Sequence, residues 1–152
     1  MTGNGLNIEG LAIAGGKLYA GLRAPVLGRK AFLVGVDVDR LFDAARPIGQ
    51  ADVSEIDLDL GDRGVRDLAV LADGRLLVLA GPAGSEERSF ALYVVEPASK
   101  AVTAIADLID VPQGAKAEAL EILAQDPGSL DLLILFDGAK SGAPRRYSID
   151  LK

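Results

Sequence analysis

The sequence predicts an all-β, propeller-like fold of about three blades of antiparallel strands. Three observations carry this reading: a strand phrase that occurs three times, a tight turn and second apolar run after each copy, and an aliphatic rather than aromatic composition. The phrase reads NIEGLAIA at 7–14, VRDLAVLA at 65–72 and AEALEILA at 117–124. Glu9, Arg66 and Glu118 hold the same place in each, at steps of 57 and 52 residues. Those steps slightly exceed the ~40–50 residues of a four-stranded blade. Because 49% of the chain is hydrophobic and only 5% aromatic, the core must be built from Leu, Val, Ile and Ala, which suits sheets packed face to face.

Taken in order, the elements follow one plan. Each phrase is an innermost strand that runs into a turn, at Gly15-Gly16, Asp73-Gly74 and the DPGS of 126–129. Glycine and aspartate between apolar runs mark hairpins, since both tolerate positive φ. Second strands follow at 17–23, 75–81 and 130–137, and third strands at 31–38, 90–96 and 146–151. Fourth strands are expected at 55–60 and 102–106 only. The blades therefore span 7–60, 64–109 and 116–152 of a single domain, and the third ends one strand short. One departure from β is expected at 39–46, where the spacing of Leu41, Phe42 and Ala45 before Pro47 suggests a short helix or turn.

Composition bounds the chemistry. The chain has 152 residues, no cysteine and no histidine. A Ser-His-Asp triad, a Cys-His pair and the usual zinc sites are therefore out of reach of these residues. Acid–base work would fall to Asp, Glu, Lys or Tyr, and a metal would be a hard, oxygen-loving ion such as calcium or magnesium. The net charge is −6 and no basic stripe exists, which argues against nucleic acid. Gly3, Gly5 and Gly10 lack dinucleotide-motif spacing and lead into a strand, so no nucleotide cofactor is expected. Neither a signal peptide nor a membrane span is evident, so the chain reads as soluble, with a cytoplasmic location as the expectation.

The phrases NIEGLA at 7–12 and GLRAPV at 21–26, with RDLA at 66–69 and AEAL at 117–120, resemble the later half of an uncharacterised bacterial family of six-bladed propellers, a domain of unknown function. That family is itself similar to esterase-like phytase and gluconolactonase-type propellers. The resemblance implies half of a six-bladed propeller and a channel-mouth site. It also implies a family member roughly twice this length, whose early half is absent here. The family's third phrase usually reads Ala-Glu-Gly, and Ala119 replaces the glycine.

Hairpin geometry sets Glu9 beside Arg23 and Glu118 beside Asp137, with the loops 24–29, 82–88 and 138–144 at the channel mouth. Glu9, Arg23, Arg66, Asp67, Glu118 and Asp137 are the candidate ligand-binding residues. Glu9 and Glu118 are the metal candidates, with Asp67 and Asp137 as further oxygen donors, and Arg23 and Arg66 would hold phosphate or carboxylate. The same pattern reads equally as interblade salt bridges, with Arg66 between two glutamates. The acidic run Glu55, Asp57, Asp59 and Asp62 alternates with apolar residues, as a solvated outer strand does. Tyr19, Tyr93 and Tyr147 read as packing residues with polar tips.

Two functional readings follow. In one, the channel mouth binds a small anionic or metal-bridged ligand, with phosphoester or lactone hydrolysis as the corresponding reaction. In the other, the chain is a non-enzymatic scaffold that associates with itself, a missing half or another protein through its open blades.

Overall fold

The computed structural model describes residues 5–84 and 89–151. It is all-β, with three antiparallel sheets in chain order. The first sheet holds β1 (Asn7–Ala14), β2 (Lys17–Leu27), β3 (Lys30–Asp37) and β4 (Val53–Asp59); the second holds β5 (Arg63–Val70), β6 (Leu76–Pro82), β7 (Ala91–Glu96) and β8 (Ala101–Asp107). The third holds β9 (Lys116–Asp126), β10 (Ser129–Asp137) and β11 (Arg145–Asp150). Each strand pairs with its chain neighbour in meander order, through hairpins and loops of which the longest among the described residues, 38–52 between β3 and β4, holds one helical turn and one 3-10 turn. This arrangement is compatible with half of a propeller. Among the described residues no helix is long and apolar enough to cross a membrane.

The alternation of side chains decides how the sheets stack. On one side of the second sheet, Val65, Leu68, Val78 and Tyr93 meet Ala12, Tyr19, Leu33 and Leu58 of the first. On its other side, Leu77, Leu79, Phe90 and Leu92 meet Leu120, Leu132, Ile134 and Phe136 of the third. The middle sheet is thus buried on both faces, which is why β6 reads as the unbroken run LLVLAGP with every residue buried. Each wholly buried Leu or Val contributes about 1.5–3 kcal/mol, so these two layers dominate the stability.

Three expectations need adjustment. The helix expected at 39–46 is one turn, Val38–Leu41. Beyond it the chain folds around Arg40, which donates to the carbonyls of Arg46 and Pro47 and to the Asp52 carboxylate. The second strand, expected to stop at Arg23, continues to Leu27, which pairs with Lys30. Most of the expected loop 24–29 is therefore strand, and only Gly28 and Arg29, both at positive φ, make the turn. In the second hairpin only Gly74 takes a positive φ, closing a turn whose amide donates to the Leu71 carbonyl.

Candidate functional site

The three repeat-equivalent charged residues share a backbone device. In β1 the pairing passes from Ile8 opposite Leu22 to Gly10 opposite Gly21, leaving Glu9 without a partner. Pairing in β5 skips Arg66 between Val65 and Asp67, and in β9 it skips Glu118 between Ala117 and Ala119. Each is a β-bulge, which inserts one residue and re-aims its side chain out of the regular ladder. Because the bulges recur at the same height in three stacked sheets, the three side chains converge.

Arg66 lies at the centre. It is 1% exposed, the one buried charged residue among those described. Its Nη1 donates to Glu9 Oε2 at 3.2 Å and to Glu118 Oε1 at 3.0 Å, and its Nη2 to the Pro82 carbonyl at 2.6 Å. The guanidinium carbon sits 5.9 Å from the centroid of the Phe90 ring, within cation–π range. Its Nε has no acceptor among the described residues. Burial lowers the Arg66 pKa, and the Glu9 carboxylate opposes that shift.

Arg23 completes the cluster from the first sheet. Its Nη1 donates to Glu9 Oε1 at 2.8 Å and its Nε to the Ala83 carbonyl at 3.1 Å. The close approach that allows this depends on Gly64, where a Cβ would lie 2.0 Å from the Arg23 carbonyl oxygen. Asn7 Nδ2 also donates to Glu9 Oε1, at 3.3 Å. Two guanidiniums and two carboxylates are thus joined across all three sheets.

The other two candidates stand apart. Asp67, next in sequence to Arg66, accepts from the Leu68 amide and from the Leu120 amide of β9, both at 2.8 Å. Its carboxylate ties the second sheet to the third. Burial raises its pKa, while the Leu120 and Leu68 amides pull it back. Asp137 is exposed and pairs with Lys116, not Glu118, because two irregularities along β9 and β10 together shift the register by two residues. For a metal, Glu9 and Glu118 flank a guanidinium where a cation would have to sit. Among the described residues no group of three such ligands converges.

Arg23 and Arg66 form one wall of an open cleft of about 1000 Å3. Pro82, Ser89, Phe90, Gln113 and Lys116 also line it. Of the mouth loops expected from sequence, 82–88 reaches the cleft through Pro82 and Gly84, while residues 85–88 lie outside the described residues. The expected loop 138–144, which contains a single 3-10 turn, Lys140–Gly142, supplies no lining residue among those described. The connection between the second and third sheets, 108–115, was not anticipated as part of the site. Its one sequence signal is Pro112-Gln-Gly114, a loop signature.

A family model for proteins of unknown function, DUF3616, matches residues 2–148. The chain belongs to that family. No curated protein and no solved structure matches it. In this DUF3616 chain the match spans all three sheets, so the bulge residues and the cleft lie within the shared domain.

Proposed function

We propose that the chain is half of a six-bladed propeller and a ligand-binding domain, whose cleft beside Arg23 and Arg66 takes a small anion bearing a carboxylate or phosphate. The observation that carries this reading is the composition of the cleft wall: two guanidiniums, one exposed ammonium and an aromatic face around an open volume. Arg23 Nη2 has no partner among the described residues, and a planar guanidinium suits a bidentate oxyanion. Glu9 and Glu118 balance the two guanidiniums, so Lys116 tips the cleft positive on a chain of net charge −6. Phe90 supplies the apolar contact that such sites use for the body of a ligand.

The reading is one of binding rather than turnover. Both glutamates are engaged by guanidiniums, so neither is available as a general base while those contacts stand. The test is a thermal-shift series with phosphate, a dicarboxylate and chloride at equal ionic strength. A rise in melting temperature with the oxyanions alone, lost in Arg23→Gln, supports the reading, since a ligand of the native state stabilises it by mass action. Equal responses to all three anions, or an unchanged response in the variant, would refute it.

A further inference from the structure

The cleft beside Arg23 and Arg66 is far larger than the head group its charges would hold. Its volume of about 1000 Å3 stands at the upper end of the range for sites that take drug-sized ligands, roughly 300–1000 Å3. A bare phosphate or acetate would leave most of that space to water. Much of the lining is apolar, from Phe90, Leu108, Val111, Pro112 and Ala115. Phe90, Leu108 and Ala115 belong to the apolar layer between the second and third sheets, and Val111 packs against it. The cleft thus meets the edge of the core, half-buried at Val111 and Pro112.

This apolar margin is held in place by backbone bonds. The Leu108 amide donates to the Phe90 carbonyl at 2.9 Å, and the Ala115 amide to the Pro112 carbonyl at 3.0 Å. Between those two points the Tyr147 hydroxyl donates to the Ile109 carbonyl at 2.9 Å. Gly114, at a φ of 73°, turns the chain into Ala115. A surface anchored in this way needs little ordering when a ligand arrives, so less of the contact energy is lost to entropy.

Charge narrows the ligand further. Arg23, Arg66 and Lys116 line the cleft, and Glu9 and Glu118 neutralise the two guanidiniums. The described groups of this cluster are left with a single net positive charge. A monoanion meets that charge, whereas a dianion would carry an uncompensated one onto an apolar surface, which is unfavourable.

Building on the oxyanion reading above, on which this inference rests, we propose that the ligand is an aromatic monocarboxylate. Its carboxylate lies at the guanidiniums and its ring on the margin formed by Leu108, Val111 and Pro112. A ring is favoured over an alkyl chain because the cleft is open: a flat body rests one whole face on the margin and freezes few rotors. Guanidiniums also take aromatic faces, as Arg66 does with Phe90 at 5.9 Å.

The test is a set of titrations of the full chain with acetate, benzoate, 2-naphthoate and phenyl phosphate, followed by amide and methyl chemical shifts. Dissociation constants should fall about 10-fold at each step from acetate to benzoate to 2-naphthoate, as each ring buries more apolar surface. The ring-bearing ligands should shift the methyls of Leu108 and Val111, phenyl phosphate should bind more weakly than benzoate, and Arg23→Gln should weaken all three carboxylates. Equal affinities for acetate, benzoate and 2-naphthoate would overturn the aromatic body and leave the oxyanion reading intact. Phenyl phosphate binding more tightly than benzoate would overturn the single charge, and ring-induced shifts gathered elsewhere would overturn the placement. No saturable response to any of the four would overturn the oxyanion reading and this proposal with it.

Discussion

Arg66 Nη1 lies 3.0 Å from Glu118 Oε1, across the boundary between the second and third sheets. The same nitrogen lies 3.2 Å from Glu9 of the first sheet. One buried guanidinium thus joins three sheets that share no backbone hydrogen-bond ladder. Tertiary register between the sheets is held by this contact, by the Asp67 bond to the Leu120 amide and by the Gln125 bond to the Ala72 amide.

Replacing Arg66 by methionine keeps the apolar stem but removes the centre of the cluster. Breaking a buried ion pair by deleting one partner costs about 3–5 kcal/mol, and the partial exposure of Glu118, at 37%, reduces this to roughly 2–4. For a chain of this size the melting temperature should fall by about 5–15 °C. Thermal unfolding measures it. A fall of less than about 2 °C would show that the three-way contact carries no stability.

Gly64→Ala tests the close approach of the first sheet to β5. The added carbon would meet the backbone of Arg23, which cannot swing aside as a side chain could. Overpacking of this kind costs roughly 1–3 kcal/mol. It should also displace Arg23 and weaken anion binding, so urea unfolding and the thermal-shift response should change together. Normal stability with normal binding would contradict the geometry.

Asp67 makes a pH prediction whose sign is unusual for an acid. Its folded pKa is raised by burial, so the folded state holds the proton more tightly than the unfolded state. Stability from this group is full below the ordinary carboxylate range and declines as pH rises through the raised folded value. Asp52, Asp73 and Asp131 have lowered pKa values and act in the opposite direction, but they are shared with Asp67→Asn. The stability difference, wild type minus Asp67→Asn, should therefore fall as pH rises above the ordinary carboxylate range, as measured by urea unfolding at each pH. A difference that rises with pH would mean that the amide bonds outweigh burial.

Calcium should leave the melting temperature unchanged at equal ionic strength, because Glu9 and Glu118 already hold Arg66 between them. Only an ion that displaced the guanidinium would stabilise the fold by binding there. A rise of several degrees in millimolar calcium, abolished in Glu118→Gln, would restore the metal reading of that pair.

Much of the architecture was legible because strand period and turn residues are local signals. Repetition of Glu9, Arg66 and Glu118 marked equivalent positions before any contact was known. Bulges were not legible, since a bulge depends on the register of the partner strand. That is why Asp137 was placed beside Glu118 and stands instead opposite Lys116. Asp67 was grouped with Arg66 as its sequence neighbour, yet its carboxylate is bonded to the amides of Leu68 and Leu120. Gln113 lies in a connection with no periodicity to read, and Lys116 is the strand-end residue that this connection delivers to the cleft.

The central claim is that the cleft beside Arg23 and Arg66 is where a small oxyanion binds. Amide chemical-shift mapping during titration with phosphate, and separately with a dicarboxylate, tests it most directly. The account predicts saturable shifts concentrated at Arg23, Arg66, Phe90, Gln113 and Lys116, absent in Arg23→Gln. Shifts that do not saturate, or that gather away from these residues, would contradict it.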